Sequence, residues 1–276
     1  MTGDAQPALS GVPIQITNVS KVFAEDSDNP FRALKSVNVD IPAGQFISVV
    51  GASGCGKSTL MLMLAGLLER STGDIRIGGR SVDRPVTEVG IAFQDHLLLE
   101  FRTAFQNVML HADIRGLDKA VLARRARDLF AQLRLEHAMD KYPRQLSGGM
   151  RQRVSLIRTL VHEPSLILMD EPFGALDALT RLQVRTDLEN LWLRRRPTVV
   201  FITHSVEEAV GLSDRILVMS PSPGEVVDDI TINLPRPRPI VLGDAPEFAG
   251  YVDRIHRHFE RLGVLHGAPL PNPTAA

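Results

Sequence analysis

One cysteine, Cys55, occurs in 276 residues. No internal disulfide framework can therefore hold this chain together, and such sparing thiol usage suits a reducing cytoplasm. No apolar run reaches the roughly 18 residues that cross a bilayer. The longest candidate, Leu60 to Leu68, is too short and follows a helix-opening loop. Met1 to Ser10 lacks the basic and apolar blocks of an export signal. Neither sign of charge is in excess, the net charge being -1, which argues against a nucleic-acid binder working through one large basic face. No internal repeat is visible and no heptad pattern is sustained. What remains is ordinary globular composition: 44% apolar and 23% charged residues, enough for a sizeable core without metals or disulfides.

Apolar patterning alternates between strands and helices. Period-2 alternation marks Ile14 to Val19 and Val37 to Ile41 as strands, and Phe46 to Val50 is a short β-rich run ending directly at Gly51. A helical pattern runs from Lys57 to Leu68, with Gly73 at the following turn. Asp74 to Ile77 and Val89 to Phe93 read as further strands. From Thr103 to Leu160 helical stretches dominate; Asp118 to Leu135 carries apolar residues at i, i+3, i+4, with Arg124, Arg125 and Arg127 on its wet face. Continuous apolar runs at Leu166 to Met169 and Val199 to Ile202 fit strands covered on both faces. Helices over Leu179 to Leu193 and Val206 to Leu212 and a strand over Ile216 to Met219 complete the core. After Pro221 the composition shifts to proline, and Leu234-Pro-Arg-Pro-Arg-Pro239 reads as an extended, solvated connector. An amphipathic helix is expected over Pro246 to Leu262 and disorder over Gly267 to Ala276.

The chemistry begins at Gly51-Ala-Ser-Gly-Cys-Gly-Lys-Ser58. A Gly-x-x-x-x-Gly-Lys-Ser run between a strand and a helix lets consecutive backbone N–H groups curl around phosphate oxygens. Gly51, Gly54 and Gly56 permit backbone angles and close approach that a β-carbon hinders. The helix opening near Lys57 adds its positive dipole end. Lys57 is placed to reach the β- and γ-phosphates and Ser58 to ligate Mg²⁺. Two readings stay open for Cys55: a thiolate stabilised by the converging N–H groups, or, as the favoured one, a small tolerated residue. In either case a thiol-blocking reagent is expected to abolish ATP binding by bulk.

Leu166 to Glu171 is an apolar strand ending in two carboxylates. Asp170 is placed to hold Mg²⁺, and Glu171 falls where a general base for an attacking water is needed. Gln94 follows another strand and could reach the metal or the water. His204 follows the strand Thr198 to Ile202 and would contact the γ-phosphate from the opposite side. Alone, a Gln or His at a strand end is more often a surface or capping residue; order and spacing within the set give them weight. Leu146-Ser-Gly-Gly-Met-Arg-Gln152 offers the Ser147 hydroxyl and the N–H groups of Gly148 and Gly149 at a helix N-terminus. A simple Ser147 N-cap fits that local sequence equally well.

Taken together over roughly Ile14 to Met219, these motifs resemble the ATP-binding subunits of ABC transporters. The resemblance implies an α/β fold: a P-loop NTPase core with an antiparallel β subdomain and a helical insertion. It implies ATP hydrolysis with Mg²⁺, with Gly51, Ser53, Gly54, Gly56, Lys57, Ser58 and Thr59 around the phosphates. Ser58, Gln94 and Asp170 then serve the metal, and Lys57, Gln94, Glu171 and His204 serve the chemistry. Phe23 matches the position whose ring stacks on adenine, although a strand residue facing the core is the local alternative. In the family Ser147, Gly148 and Gly149 close over the γ-phosphate of a second subunit, so that sites form only in a head-to-tail dimer. Gly174-Ala-Leu-Asp177 resembles the family's dimer-contact loop.

A narrower likeness extends to the nitrate, sulfonate and taurine importer group, through Ser-Gly-Cys-Gly-Lys-Ser-Thr, Leu-Ser-Gly-Gly-Met-Arg-Gln-Arg, Asp-Glu-Pro-Phe-Gly-Ala-Leu-Asp-Ala-Leu-Thr-Arg and the late Leu-Pro-Arg-Pro-Arg. It implies transmembrane permease subunits and a second ATPase subunit, most simply a homodimer, as direct partners. A solute-binding protein is an indirect partner, and nucleic acid is not a partner. The place implied is the cytoplasmic face of the inner (plasma) membrane, held peripherally. Three departures occur: Leu97-Leu-Leu-Glu-Phe101 in place of leucines followed by Pro-Trp, Ser155-Leu-Ile-Arg-Thr in place of an Ala-rich run, and Ser205 in place of an acid. Leu97, Leu98, Leu99, Phe101 and Phe105 form an apolar cluster suited either to a permease helix or to packing the insertion on the core. Arg194 to Arg196 read as charges compatible with a helix C-terminus. The expected organisation is an ATP-binding domain over 12–220, with its insertion at about 95–161, and a C-terminal extension over 221–276. Two other readings use the same closing motor: a soluble mechanochemical ATPase acting on nucleic acid or ribosomes, and the ATPase of an exporter.

Overall fold

Two sheets carry the molecule, and the computed structural model describes them through residues 10–174, 176–240 and 245–265. The chain opens with two antiparallel strands, β1 (Ile14–Phe23) and β2 (Phe31–Ile41), and then β3 (Phe46–Gly51) leads through the glycine loop into helix α1 (Lys57–Leu64). β4 (Thr72–Ile77) and the short β5 (Arg80–Ser81) join the first pair in a four-stranded sheet of order β2-β1-β4-β5. β6 (Val89–Ala92), β7 (Leu166–Asp170), β8 (Thr198–Ile202), β9 (Arg215–Met219) and β10 (Val226–Thr231) assemble with β3 in the order β10-β9-β3-β8-β7-β6. Every residue of β3 and β8 is buried. Covered faces on both sides explain why these strands read as unbroken apolar runs rather than as alternation.

The helices cover the large sheet. α2 (Ala104–Val108), α3 (Leu110–Arg115), α4 (Lys119–Gln132) and α5 (Gly148–Leu160) form the insertion, with a core of its own around Val108, Leu122, Phe130, Val154 and Ile157. α6 (Ala178–Arg195) places Val184, Leu188 and Trp192 against Phe46, Phe173 and Phe201. α7 (Val206–Leu212) and the C-terminal α8 (Pro246–Arg261) pack on each other over Ile216, Ile230 and Ile232. β3, β6, β7, β8 and β9 run parallel. Their C-terminal ends therefore face one way, which is where open α/β sheets place ligands.

Three local expectations are corrected. The first helix stops at Leu64 rather than Leu68, because Ala65 caps it and Gly66 turns left-handed at φ 69°, where a β-carbon would stand 2.1 Å from the Arg84 carbonyl oxygen. A strand, β10, lies where only proline-rich extension was expected. It pairs antiparallel with β9, and Asp229 takes two hydrogen bonds from Arg215, so an acidic strand gains a cross-strand partner. The tail Gly267 to Ala276 lies outside the described residues.

The third correction concerns the Pro/Arg segment, whose prolines are exposed but whose arginines are not solvated. Arg236 inserts beneath α7 and α6: it pairs with Glu189 at 2.7 Å and with Asp214 at 2.8 Å, donates to the Leu212 carbonyl, and lies 4.5 Å from the Trp192 ring centroid. Arg238 is buried and donates to the carbonyls of Val210 and Ser213 at 2.7 and 2.8 Å, while its backbone N–H donates to Glu189. Burial lowers the Arg238 pKa to about 10. The orphan carbonyls at the end of α7 thus find donors from a strap some 25 residues further along. Composition could not show this, because the acceptors belong to another element. Removing one partner of a buried pair leaves the other charge unpaired, which costs about 3–5 kcal/mol. Arg236→Ala is expected to lower the unfolding free energy by that order, read as a shift in the denaturant midpoint. A shift equivalent to less than about 1 kcal/mol, the worth of an exposed pair, would show the strap to be unneeded for stability.

Candidate functional site

The glycine loop bridges the end of β3 and the start of α1. Gly54 and Gly56 sit at φ 76° and 95°, angles that side chains resist. At Gly56 a β-carbon would also stand 2.6 Å from Leu34 Cδ2 and 2.9 Å from the Ala33 carbonyl oxygen. Gly56 is the N-cap of α1 and offers no side-chain cap, so the first N–H groups of the helix remain free to meet an anion. Lys57 is buried, and its Nζ donates to the carbonyls of Gly51 and Ala52, each at 2.9 Å. The ammonium thus lies inside the curl of the loop. Cys55 is fully buried beneath it, with Sγ 3.9 Å from Lys57 Nζ. Burial pushes the thiol up, outweighing the lowering charge of Lys57. The thiolate reading of Cys55 is corrected: the sulfur packs under Gly51 and is kept neutral.

Three strand ends converge on one carboxylate. Glu171, just after β7, has φ 45°, an angle uncommon outside glycine, and its N–H donates to the Ile202 carbonyl at 2.9 Å. That bond to β8 holds the side chain in place. Its Oε2 accepts a 3.4 Å hydrogen bond from Gln94 Nε2, beyond β6, and stands 3.2 Å from His204 Nδ1, beyond β8. The turn that carries His204 is braced. Thr203 Oγ1 donates to Glu208 at 2.7 Å and accepts from Ser205 N–H, while Ser205 caps α7 by accepting from Glu208 N–H. Ser205, a departure from the family pattern, therefore has a local task as N-cap. Burial raises the Glu208 pKa, opposed by the Thr203 hydrogen bond and Arg181.

Ser53, Gly54, Gly56, Lys57, Ser58, Thr59, Gln94, Asp170 and Glu171 line one cleft with Phe31 and Ala33. Asp170 is half-buried, and burial raises its pKa; the hydrogen bond with Ser58 and the charge of Lys57 oppose this, while Glu171 adds to it. Ser58, Asp170 and Gln94 offer hard oxygen donors, and a half-buried carboxylate with a second carboxylate beside it suits a divalent cation. Among the described residues no group of three His, Cys, Asp or Glu side chains could cage a metal. One carboxylate with neighbouring side-chain oxygens is the kind of donor set Mg²⁺ uses, since that ion keeps several waters and takes its remaining ligands from substrate phosphates.

Phe31 lines the mouth of the cleft; Phe23 does not line it but lies beside Phe31. Phe23 is 37% exposed and Phe31 53%, so neither faces the core. Their rings are 6.5 Å apart and inclined by 20°, with Lys21 5.2 Å from the Phe23 centroid. Phe31 was not foreseen. The signal that finds it is cross-strand: it pairs opposite Phe23 in the β1–β2 register.

Ser147, Gly148 and Gly149 do not line this cleft. Ser147 caps α5, accepting from Met150 N–H at 3.3 Å. The two glycines differ. At Gly149 a β-carbon would stand 2.5 Å from Thr180 Cγ2 in the first turn of α6, whereas at Gly148 it would meet nothing within 4 Å. Gly149 is needed for packing inside the protomer; Gly148 has no such reason. The cluster after Gln94 also divides. Leu98 is buried and Phe105 half-buried, but Leu97 and Phe101 are 55% and 74% exposed. Packing accounts for only part of it. Arg195 pairs with Glu163, and Arg196 stacks 5.0 Å from Trp192.

Comparison with known proteins agrees with this geometry. The family model described as ABC transporter matches residues 34–174. The aliphatic sulfonates import ATP-binding protein SsuB of Bacillus cereus is 37% identical over 252 residues, covering 91% of this chain and 98% of that protein. The taurine import ATP-binding protein TauB of Rhizobium johnstonii is 41% identical over 248 residues, covering 88% and 94%. Among solved structures, the dimeric post-hydrolysis state of the ATP-binding cassette MJ0796, bound to ADP and Pi, superposes with a TM-score of 0.71 at 29% identity, covering 80% of this chain and 99% of that one.

The buried, neutral thiol changes what a cysteine reagent should do. A disulfide-exchange reagent at neutral pH is expected to release essentially no chromophore from the native protein, and one equivalent, for the single Cys55, after denaturation. ATP binding then survives treatment of the folded protein. Stoichiometric labelling in the native state would overturn the assignment of a closed loop floor.

Proposed function

Because the chain belongs to the ABC transporter ATP-binding family, we propose that it is the ATP-hydrolysing subunit of an import system, driving uptake of a small solute such as nitrate, a sulfonate or taurine through a separate permease. The observation that carries this is the division of the site. One cleft gathers Lys57, Ser58, Asp170, Glu171 and Gln94, with His204 beside Glu171, while Ser147 to Gly149 stand apart and Gly148 answers to nothing in its own protomer. A half-site of this kind is completed by a second subunit, most simply another copy of the chain, in line with the dimeric cassette it resembles. No described helix is long and apolar enough to cross a membrane, so force passes through the permease, with this subunit held peripherally at the cytoplasmic face. A solute-binding protein acts upstream of the permease. The longest helix of the insertion has 14 residues, which gives no support to a coiled-coil arm for nucleic acid.

The adenine rests on Phe23, with Phe31 beside it. The N–H groups of the loop and of the first turn of α1 wrap the phosphates, and Lys57 turns from the Gly51 and Ala52 carbonyls to the β- and γ-phosphates. Ser58 and Asp170 would hold Mg²⁺, with Gln94 reaching it or the attacking water; bound there, the ion neutralises charge developing on the phosphate oxygens. Glu171 takes the proton from water. His204, braced by Thr203 and Ser205, steers the γ-phosphate and fixes Glu171 Oε2 from one side, while Gln94 fixes it from the other. Ser147 and the N–H groups of Gly148 and Gly149 grip the γ-phosphate held by the partner. Hydrolysis removes the group that both protomers share, and the dimer opens.

Three variants test these roles. Lys57→Ala loses tight ATP binding. Glu171→Gln still binds MgATP and remains dimeric, while kcat falls by about 10²–10⁴. Gly148→Ala folds with an unchanged melting temperature, yet loses ATP-dependent dimerisation, measured by light scattering, and on the order of tenfold or more in kcat. Normal turnover by Glu171→Gln would move the base elsewhere, and normal dimerisation of Gly148→Ala would remove the shared site. Detergent extraction with the permease, followed by uptake assays with nitrate, sulfonate and taurine, identifies the solute.

A further inference from the structure

Near its C-terminal end, α5 is tied to the segment that carries Gln94. Arg158 Nη1 donates to the Leu97 carbonyl at 2.7 Å and Nη2 to the His96 carbonyl at 2.9 Å, while Thr159 Oγ1 donates to the Ile91 carbonyl at 3.2 Å. The two arginine bonds form a fork across consecutive carbonyls, two and three residues beyond Gln94. Arg158 is half-buried, and burial lowers its pKa with no carboxylate opposing the shift. Its charge is met by carbonyl dipoles. A cation in such a place is costly, and an apolar side chain would fill the space more cheaply if packing were the only need.

Leu98 packs into the insertion core, but residue 97 beside it is not held that way. Leu97 lies at φ 43°, a conformation that branched and bulky residues resist, and its side chain is mostly exposed. Packing therefore does not fix residue 97. At the far end of the same segment the buried Asn107 accepts from Leu99 N–H at 2.8 Å and donates to the carbonyls of Leu99, Arg102 and Thr103. Asn107 ties that end to α2, and Arg158 ties the near end to α5. α5 is a 13-residue helix, roughly 20 Å long, with Ser147, Gly148 and Gly149 at its other end.

We propose that Arg158 is a positioning residue that makes the Gln94 segment move as one body with the helix that begins at Ser147, Gly148 and Gly149. Displacement of that glycine turn toward a partner-bound nucleotide is carried along α5 to the carbonyls of His96 and Leu97. From there it passes to Gln94 and so to Glu171 Oε2, 3.4 Å away. Engagement of one protomer's nucleotide thereby sets the base geometry in the other site. The inference rests on the role given above to Gln94.

Arg158→Lys keeps the charge and loses the fork. In the full-length protein it is expected to leave the melting temperature and KM for MgATP little changed and to lower kcat about tenfold. In a Gln94→Ala background the same substitution is expected to lower kcat by less than about twofold, because the two act in series. Should the lysine variant fail to fold, Arg158→Gln, which retains two donors, is expected to show the same pattern. An equal fall in kcat in both backgrounds, or a fall in melting temperature with kcat unchanged, reduces Arg158 to a brace and overturns the proposal. If Gln94→Ala alone leaves kcat intact, the role of Gln94 fails and this inference fails with it.

Discussion

The parallel register of β3, β8, β7 and β6 is the constraint on which the rest depends. Val49 pairs with Ile202, and Ile202 in turn with Asp170, so that the glycine loop, the two carboxylates and the histidine turn leave the sheet on one edge. The segments that follow β6, β7 and β8, far apart in the chain, meet at one carboxylate. The positive φ of Glu171 is the local cost, and its bond to the Ile202 carbonyl is the support. Strain of this kind persists only where neighbouring structure over-determines it.

That edge supplies only half of what the chemistry needs. The glycine loop, Asp170, Glu171 and Gln94 line one cleft, but the Ser147–Gly149 turn belongs to the insertion and does not line it. In the proposed function, this separation makes ATP itself the adhesive between protomers, with binding energy realised on closure and lost when the γ-phosphate leaves. The insertion has its own core, so it can shift as a unit, and Arg158 determines which part of the catalytic edge shifts with it.

The C-terminal region adds stability at the other edge of the sheet, where β3 and β9 begin. Arg236 and Arg238 supply donors to the end of α7, and α8 lays Phe248, Ile255 and Phe259 over α7 and β10. α7 begins directly after His204. Fixing its far end therefore steadies the histidine turn as well as the fold. A buried guanidinium cluster is retained here because it satisfies carbonyls that no apolar side chain could meet.

Contiguity in the chain decided what was legible beforehand. A phosphate loop, a cap and a strand ending in Asp-Glu are made by neighbouring residues, so Gly51–Ser58, Leu146–Gln152 and Leu166–Glu171 declared their chemistry directly, and the ABC transporter family followed from their order. Phe31, β10, the burial of Cys55, the strap of Arg236 and Arg238, and the grip of Arg158 were not legible. Each depends on a partner far away in sequence, and burial or pairing is a property of two segments together. The sequence by itself determined the family and named the residues expected to serve its site. Only the tertiary structure decided that Gln94 and His204 meet at a single Glu171 oxygen while the glycine turn stays outside, because distance between strand ends is set by sheet register and not by spacing along the chain.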